Sequence, residues 1–150
     1  MPRLSFGASY VCDGLAASNI ARSLLKSPEI YFFDTELVKG DEGIKFENFV
    51  ALSLLKHIHS KIDYQAKNYS LKFLHTKEKK EVDFAISHDK KVEKIIEVKL
   101  KNHTMSSSLR FFHEKYQIPA VQVVKDLKKK RIEGGIEIVH SKKNLESLDL

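Results

Sequence analysis

Apolar and polar positions along this chain follow two rhythms. Between Gly43 and about Ser60 the apolar residues recur at steps of three and four. Val50, Ala51, Leu54 and Ile58 fall on one face, and Phe46, Phe49, Leu52 and Leu55 widen it, which predicts a largely buried helix. Glu47 lies in its first turn, within about 60° of that face at roughly 100° per residue, so it points with the core-facing side chains. From Ser70 the period drops to two. Residues 70–75, 81–87 and 92–101 read as strands, the last two joined as a hairpin through His88-Asp89-Lys90-Lys91. Residues 104–116 return to helical spacing with Leu109, Phe112 and Tyr116. Residues 120–124, apolar except for Gln122, match a strand covered on both faces. Residues 128–131 predict a basic loop, and Gly134-Gly135 leads into a last strand at 136–139. A short helix or tail follows at 144–150.

Upstream the pattern is sparser. Residues 19–26 predict a short helix closed by Ser27-Pro28, 30–33 a short strand, and Asp34 the cap of a brief helical turn ending at Gly40. Residues 1–17 show no clean period and form an atypical N-terminal segment. The chain of 150 residues suits one domain. It has no internal repeat or low-complexity linker. One mixed sheet with helices on its faces, an α/β domain over 18–150, is the economical architecture.

Charge adds a direction. The net charge is +6, but residues 61–131 hold 18 Lys/Arg against nine Asp/Glu, while the flanking segments are slightly acidic. Clustered positive charge attracts a polyanion, so DNA or RNA is an expected partner. Cys12 is the single cysteine, which rules out an intrachain disulfide. No apolar stretch approaches bilayer length and the N-terminus lacks a secretory pattern, so a cytoplasmic protein with no membrane partner is expected.

Strand parity then gathers chemistry. In the first hairpin strand Val82, Phe84 and Ile86 share a face and Asp83 points the other way. In the second, Ile96, Val98 and Leu100 share a face, opposite Ile95, Glu97 and Lys99. A three-residue loop pairs Phe84 with Ile96 and Val82 with Val98, which sets Asp83 across from Glu97. Two carboxylates at that spacing, with the Val98 carbonyl as a third oxygen, suit Mg²⁺ or Mn²⁺. Lys99 beside the ion would orient the attacking water and stabilise phosphate charge. Glu47, from the helix over that face, would bind the ion or one of its waters.

Ordered motifs add a resemblance. Asn19-Ile20-Ala21-Arg22-Ser23-Leu24, Lys26-Ser27-Pro28 and Ile30-Tyr31-Phe32-Phe33-Asp34-Thr35 come first. Gly43 with Phe46-Glu47-Asn48-Phe49-Val50, then Glu81-Val82-Asp83-Phe84 and Ile96-Glu97-Val98-Lys99, follow. Leu109 with Phe112, and Ala120-Val121-Gln122-Val123, complete the series. Over residues 18–150 this resembles a domain of unknown function found C-terminal to the ATPase module of prokaryotic AAA-type ATPases. The resemblance implies a restriction-endonuclease-like PD-(D/E)XK fold with Glu47, Asp83, Glu97 and Lys99 at the active-site positions. Glu36 stands where that family often has glycine. No G-x-x-x-x-G-K-[ST] phosphate loop is present, so no ATPase activity is expected of this chain, which reads as a truncated, excised or stand-alone domain.

Other signals are weaker. His57 and His59 sit about 200° apart on a helix and do not share an ion. Tyr64, Tyr69 and Phe73 suit packing better than base stacking. The function expected is metal-dependent cleavage of nucleic-acid phosphodiesters. The alternatives are a non-catalytic module that binds nucleic acid, an ATPase module or another protein, and a remnant without activity.

Overall fold

The structure is a computed structural model describing residues 4–5, 9–16, 29–76, 78–89, 91–101 and 104–147. Strands β1 (Leu4–Ser5), β2 (Ser9–Ala16) and β3 (Glu29–Phe32) come first. A 3-10 turn (Thr35–Leu37) and helix α1 (Glu42–Gln65) follow. Next are β4 (Tyr69–His75), β5 (Glu81–His88), β6 (Lys91–Lys101), α2 (Ser107–Tyr116) and β7 (Ala120–Asp126). The series ends with β8 (Arg131–Glu133), β9 (Ile136–His140) and α3 (Ser141–Glu146). The expected helix at 19–26 lies outside the described residues. Strands β1 and β2 fall in the segment for which no element was expected, and β8 begins where a loop was expected.

The molecule is an α/β fold. Six strands in the order β4-β5-β6-β7-β9-β8 form a mixed sheet, and β2 extends it on the β4 side while also pairing with β1 and β3. Strand β5 runs antiparallel to both β4 and β6, and β7 and β9 run parallel to β6. Helix α1 starts at Glu42, two residues before the expected start, because the Asp41 side chain caps the Ile44 amide at 3.0 Å. It runs one turn past the expected end, to a left-handed cap at Ala66, with Ile62 of that extra turn still packed on the core. The Asp34 side chain caps the 3-10 turn through the Glu36 amide.

Each face of the sheet carries one core. Val50, Leu54 and Ile58 of α1 pack on Phe73, Phe84 and Ile96. Leu109 and Phe112 of α2 pack on Val82, Ala85 and Ile95. Tyr69 and Phe73 are buried as packing residues, whereas Tyr64 is exposed. Among the described residues no helix is long and apolar enough to cross a membrane.

Candidate active site

Hairpin β5–β6 reaches the expected register by another route. His88 pairs with Lys91 across a two-residue turn, and a bulge at Glu93 absorbs one residue, so Phe84 still meets Ile96. The continuous ladder then stops at Phe84–Ile96, and the expected backbone pairing of Val82 with Val98 is replaced by side-chain bonds. The Val98 amide donates to Asp83 Oδ2 at 2.8 Å, and the Asp83 amide donates to Glu97 Oε2 at 3.3 Å. Carboxylates thus fill the fork where the two strands part.

The fork has a cause on the other edge of β5. Between the pairs Lys72–Ala85 and Leu74–Val82, two residues of β5 oppose Phe73 alone, which puts a bulge at Asp83–Phe84. An extra residue breaks the two-residue alternation. Val82 therefore packs with the α2 core and Phe84 with the α1 core, correcting the expectation that they share a face. Asp83, at the bulge, is turned into the gap between β5 and β6.

Glu97 is buried, at 7% side-chain exposure, and its Oε1 lies 2.8 Å from Lys99 Nζ, which keeps 34% of its own side-chain surface. Asp83, Glu97, Val98 and Lys99 therefore meet at one point. Helix α1 packs on the Ile96 and Val98 face, not on the Ile95 face it was expected to cover, so Glu47 stands near the point from the α1 side without a direct bond, and its charge acts on Asp83 and Lys99. Burial raises the Asp83 carboxyl well above its ordinary value, and the charges of Glu97 and Glu47 add to this. Burial also raises Glu47, against the Tyr31 hydrogen bond and with the help of Glu29 and Glu97. For Lys99, burial pulls the ammonium down. Its bond to Glu97, with the charges of Glu97, Asp83 and Glu47, outweighs burial and holds it above the usual lysine value.

Three further residues belong to this site and carried no assignment from sequence. Tyr31 stacks obliquely on Phe84, 5.5 Å between ring centres, and its hydroxyl lies 2.7 Å from Glu29 Oε2 and 3.0 Å from Glu47 Oε1. One phenol carries one hydrogen, so it donates to one carboxylate at a time. Asn48, next to Glu47 and buried, accepts from the Phe32 amide at 2.8 Å and donates to the Phe32 carbonyl at 2.9 Å, pinning β3 to α1. Gln122, fully buried and in register with Glu97, accepts from the Ser106 amide and donates to the Thr104 carbonyl. A readable signal existed for two of them. Glu29 and Tyr31 share strand parity, and Gln122 is the one polar residue in an apolar run.

No group of three or more His, Cys, Asp or Glu side chains among the described residues is placed to hold a metal ion. The donor set is two carboxylates side by side, which fits Mg²⁺ or Mn²⁺ completed by water and phosphate rather than an ion caged by protein. His57 and His75 are buried separately, on α1 and β4.

Residues 42–145 match the model of a family described as Domain of unknown function (DUF4143). No curated protein and no solved structure matches the chain.

Proposed function

We propose, from the premise that the chain belongs to the DUF4143 family of domains of unknown function, that it is a metal-dependent nuclease of the PD-(D/E)XK kind. The observation that carries the reading is the meeting of Asp83, Glu97 and Lys99 at the β5–β6 fork. An acid on one strand, Glu-x-Lys on its antiparallel neighbour and Glu47 on α1 nearby support the reading.

An Mg²⁺ or Mn²⁺ on Asp83 and Glu97, with the Val98 carbonyl as a third oxygen, would supply a Lewis acid and a more acidic water. Lys99 does the rest of the electrostatic work. Its amine holds its proton firmly, and its partial exposure leaves it able to reach a phosphate oxygen as negative charge develops there. Glu47, holding a proton more tightly than an ordinary glutamate, can exchange one with water beside the fork. The lysine-rich segment 61–131 supplies attraction for the polyanion.

One observation favours a second reading, a non-catalytic module that binds nucleic acid, an ATPase module or another protein. Both carboxylates at the fork already have protein partners, since Asp83 takes the Val98 amide and Glu97 takes Lys99 and the Asp83 amide. A site satisfied in this way keeps its shape without a metal. Cleavage of labelled single- and double-stranded DNA and RNA with Mg²⁺ or Mn²⁺ separates the two. Wild-type cleavage that Lys99→Met abolishes supports the nuclease. Binding with no cleavage of any substrate supports the module.

A further inference from the structure

Beside the carboxylates, β3, the 3-10 turn and the first turns of α1 line a partly open cavity of about 570 Å³. That is within the usual range for small-ligand sites. Its lining is of two kinds. Ile30, Leu37 and Ile44 are 56%, 52% and 49% exposed, and all three converge on this one cavity rather than scattering over the surface. The polar lining includes Glu29, Lys39 and Glu47. Glu47, whose charge acts on Asp83, lines this cavity as well, which sets the cavity beside the carboxylates of the fork. The Tyr31 hydroxyl lies 2.7 Å from Glu29 Oε2, and each oxygen of the Glu29 carboxylate keeps a lone pair that can accept from a ligand.

We propose that this cavity seats one base of the nucleic-acid strand at the fork and selects guanine. The inference rests on the nucleic-acid reading above and adds a specificity to it. A base has flat apolar faces, which suit aliphatic walls, and an edge of donors and acceptors read by fixed polar groups. A carboxylate only accepts. Guanine presents two adjacent donors, N1–H and N2–H, that match the two oxygens of a carboxylate held as Glu29 is. Adenine and cytosine offer one amino donor beside an acceptor nitrogen. Thymine and uracil flank their single donor with carbonyls, which would face the carboxylate oxygens. Lys39, also in the lining, supplies a positive charge for the adjoining phosphate.

The test uses the full chain in EDTA, with the four deoxynucleoside 5′-monophosphates as probes and NMR as the readout. The expected result is saturable binding with contacts from base protons to the Leu37 and Ile44 methyls. dGMP should bind about tenfold tighter than dTMP, the equivalent of one charge-assisted hydrogen bond. Glu29→Gln is expected to reduce that preference to under about threefold. Ile44→Glu and Leu37→Glu, both at half-exposed positions, are expected to weaken all four at an unchanged melting temperature. Equal affinity for the four nucleotides overturns the guanine selection. Absence of contacts to Leu37 and Ile44, or wild-type affinity in both cavity variants, overturns the site. Because no metal is present, the result is independent of catalysis. Seating of dGMP by a protein that cleaves nothing removes the nuclease and keeps the cavity, and cleavage without seating does the reverse.

Discussion

Asn48→Asp is a substitution of nearly unchanged volume whose cost should depend on pH. Asn48 is 3% exposed, and its amide closes a two-bond ring with the Phe32 backbone. With an ionised carboxylate the Phe32 amide keeps its acceptor, but the Phe32 carbonyl loses its donor and faces a negative oxygen at about the former 2.9 Å. A buried acceptor left unsatisfied costs about 1–3 kcal/mol. Burial of the charge beside Glu47 adds to it. The expected loss at neutral pH is about 2–4 kcal/mol, or a drop in melting temperature of roughly 5–15 °C for a chain of this size. A total stability of about 5–15 kcal/mol leaves most molecules folded. A protonated carboxyl, by contrast, carries one donor and one acceptor and can close the same ring. At about pH 4, near the ordinary carboxyl value, the cost relative to wild type should fall below roughly 1 kcal/mol. Urea denaturation of both proteins at the two pH values measures this, and hydrogen exchange of the Phe32 amide reports the local bond. An equal cost at both pH values, or one under about 0.5 kcal/mol at neutral pH, would refute the role assigned to the ring.

Four other expectations follow from the same geometry. Asp83 and Glu47 are held above their unfolded values, so the folded state binds more protons than the unfolded one as pH rises from about 4. Metal-free stability should therefore fall as pH climbs through the raised values, and Asp83→Asn should flatten that slope in melting curves with EDTA. If stability instead rises over that range, burial is not what controls these carboxyls. Divalent metal should raise the wild-type melting temperature and leave Asp83→Asn unmoved, by linkage worth about 2.7 kcal/mol at a hundred times the dissociation constant. Lys99→Met removes the ammonium that neutralises Glu97, so calorimetry should show tighter Mg²⁺ binding together with lost cleavage and nearly unchanged nucleic-acid affinity. Weaker Mg²⁺ binding in that variant would mean Lys99 does not compete with the ion. Phe84→Ala should cost about 3–5 kcal/mol in chemical denaturation, since the ring is fully buried between Tyr31 and the α1 core.

The sequence by itself determined the elements whose signals are local. Periodicity placed α1 and strands β4 to β7 to within a few residues, because an amphipathic helix and a half-buried strand each sort apolar residues by their own repeat. Parity and a hairpin were also enough to bring Asp83 toward Glu97 and Lys99. What the tertiary structure decided was everything set by pairing between distant segments. Strand β2 has no readable period, yet its first half pairs with β3 and its second half runs parallel to β4. Neither the β5 bulge at Asp83–Phe84 nor the β6 bulge at Glu93 has a local signature, although together they keep the Phe84–Ile96 register, move Val82 to the other core and open the fork that Asp83 fills. Tyr31, Glu29 and Asn48 joined the site because β3 folds back against α1, a contact that spans 16 residues. A hydrogen bond between segments that far apart leaves no period in either of them, so only the assembled sheet and helix could bring those residues together.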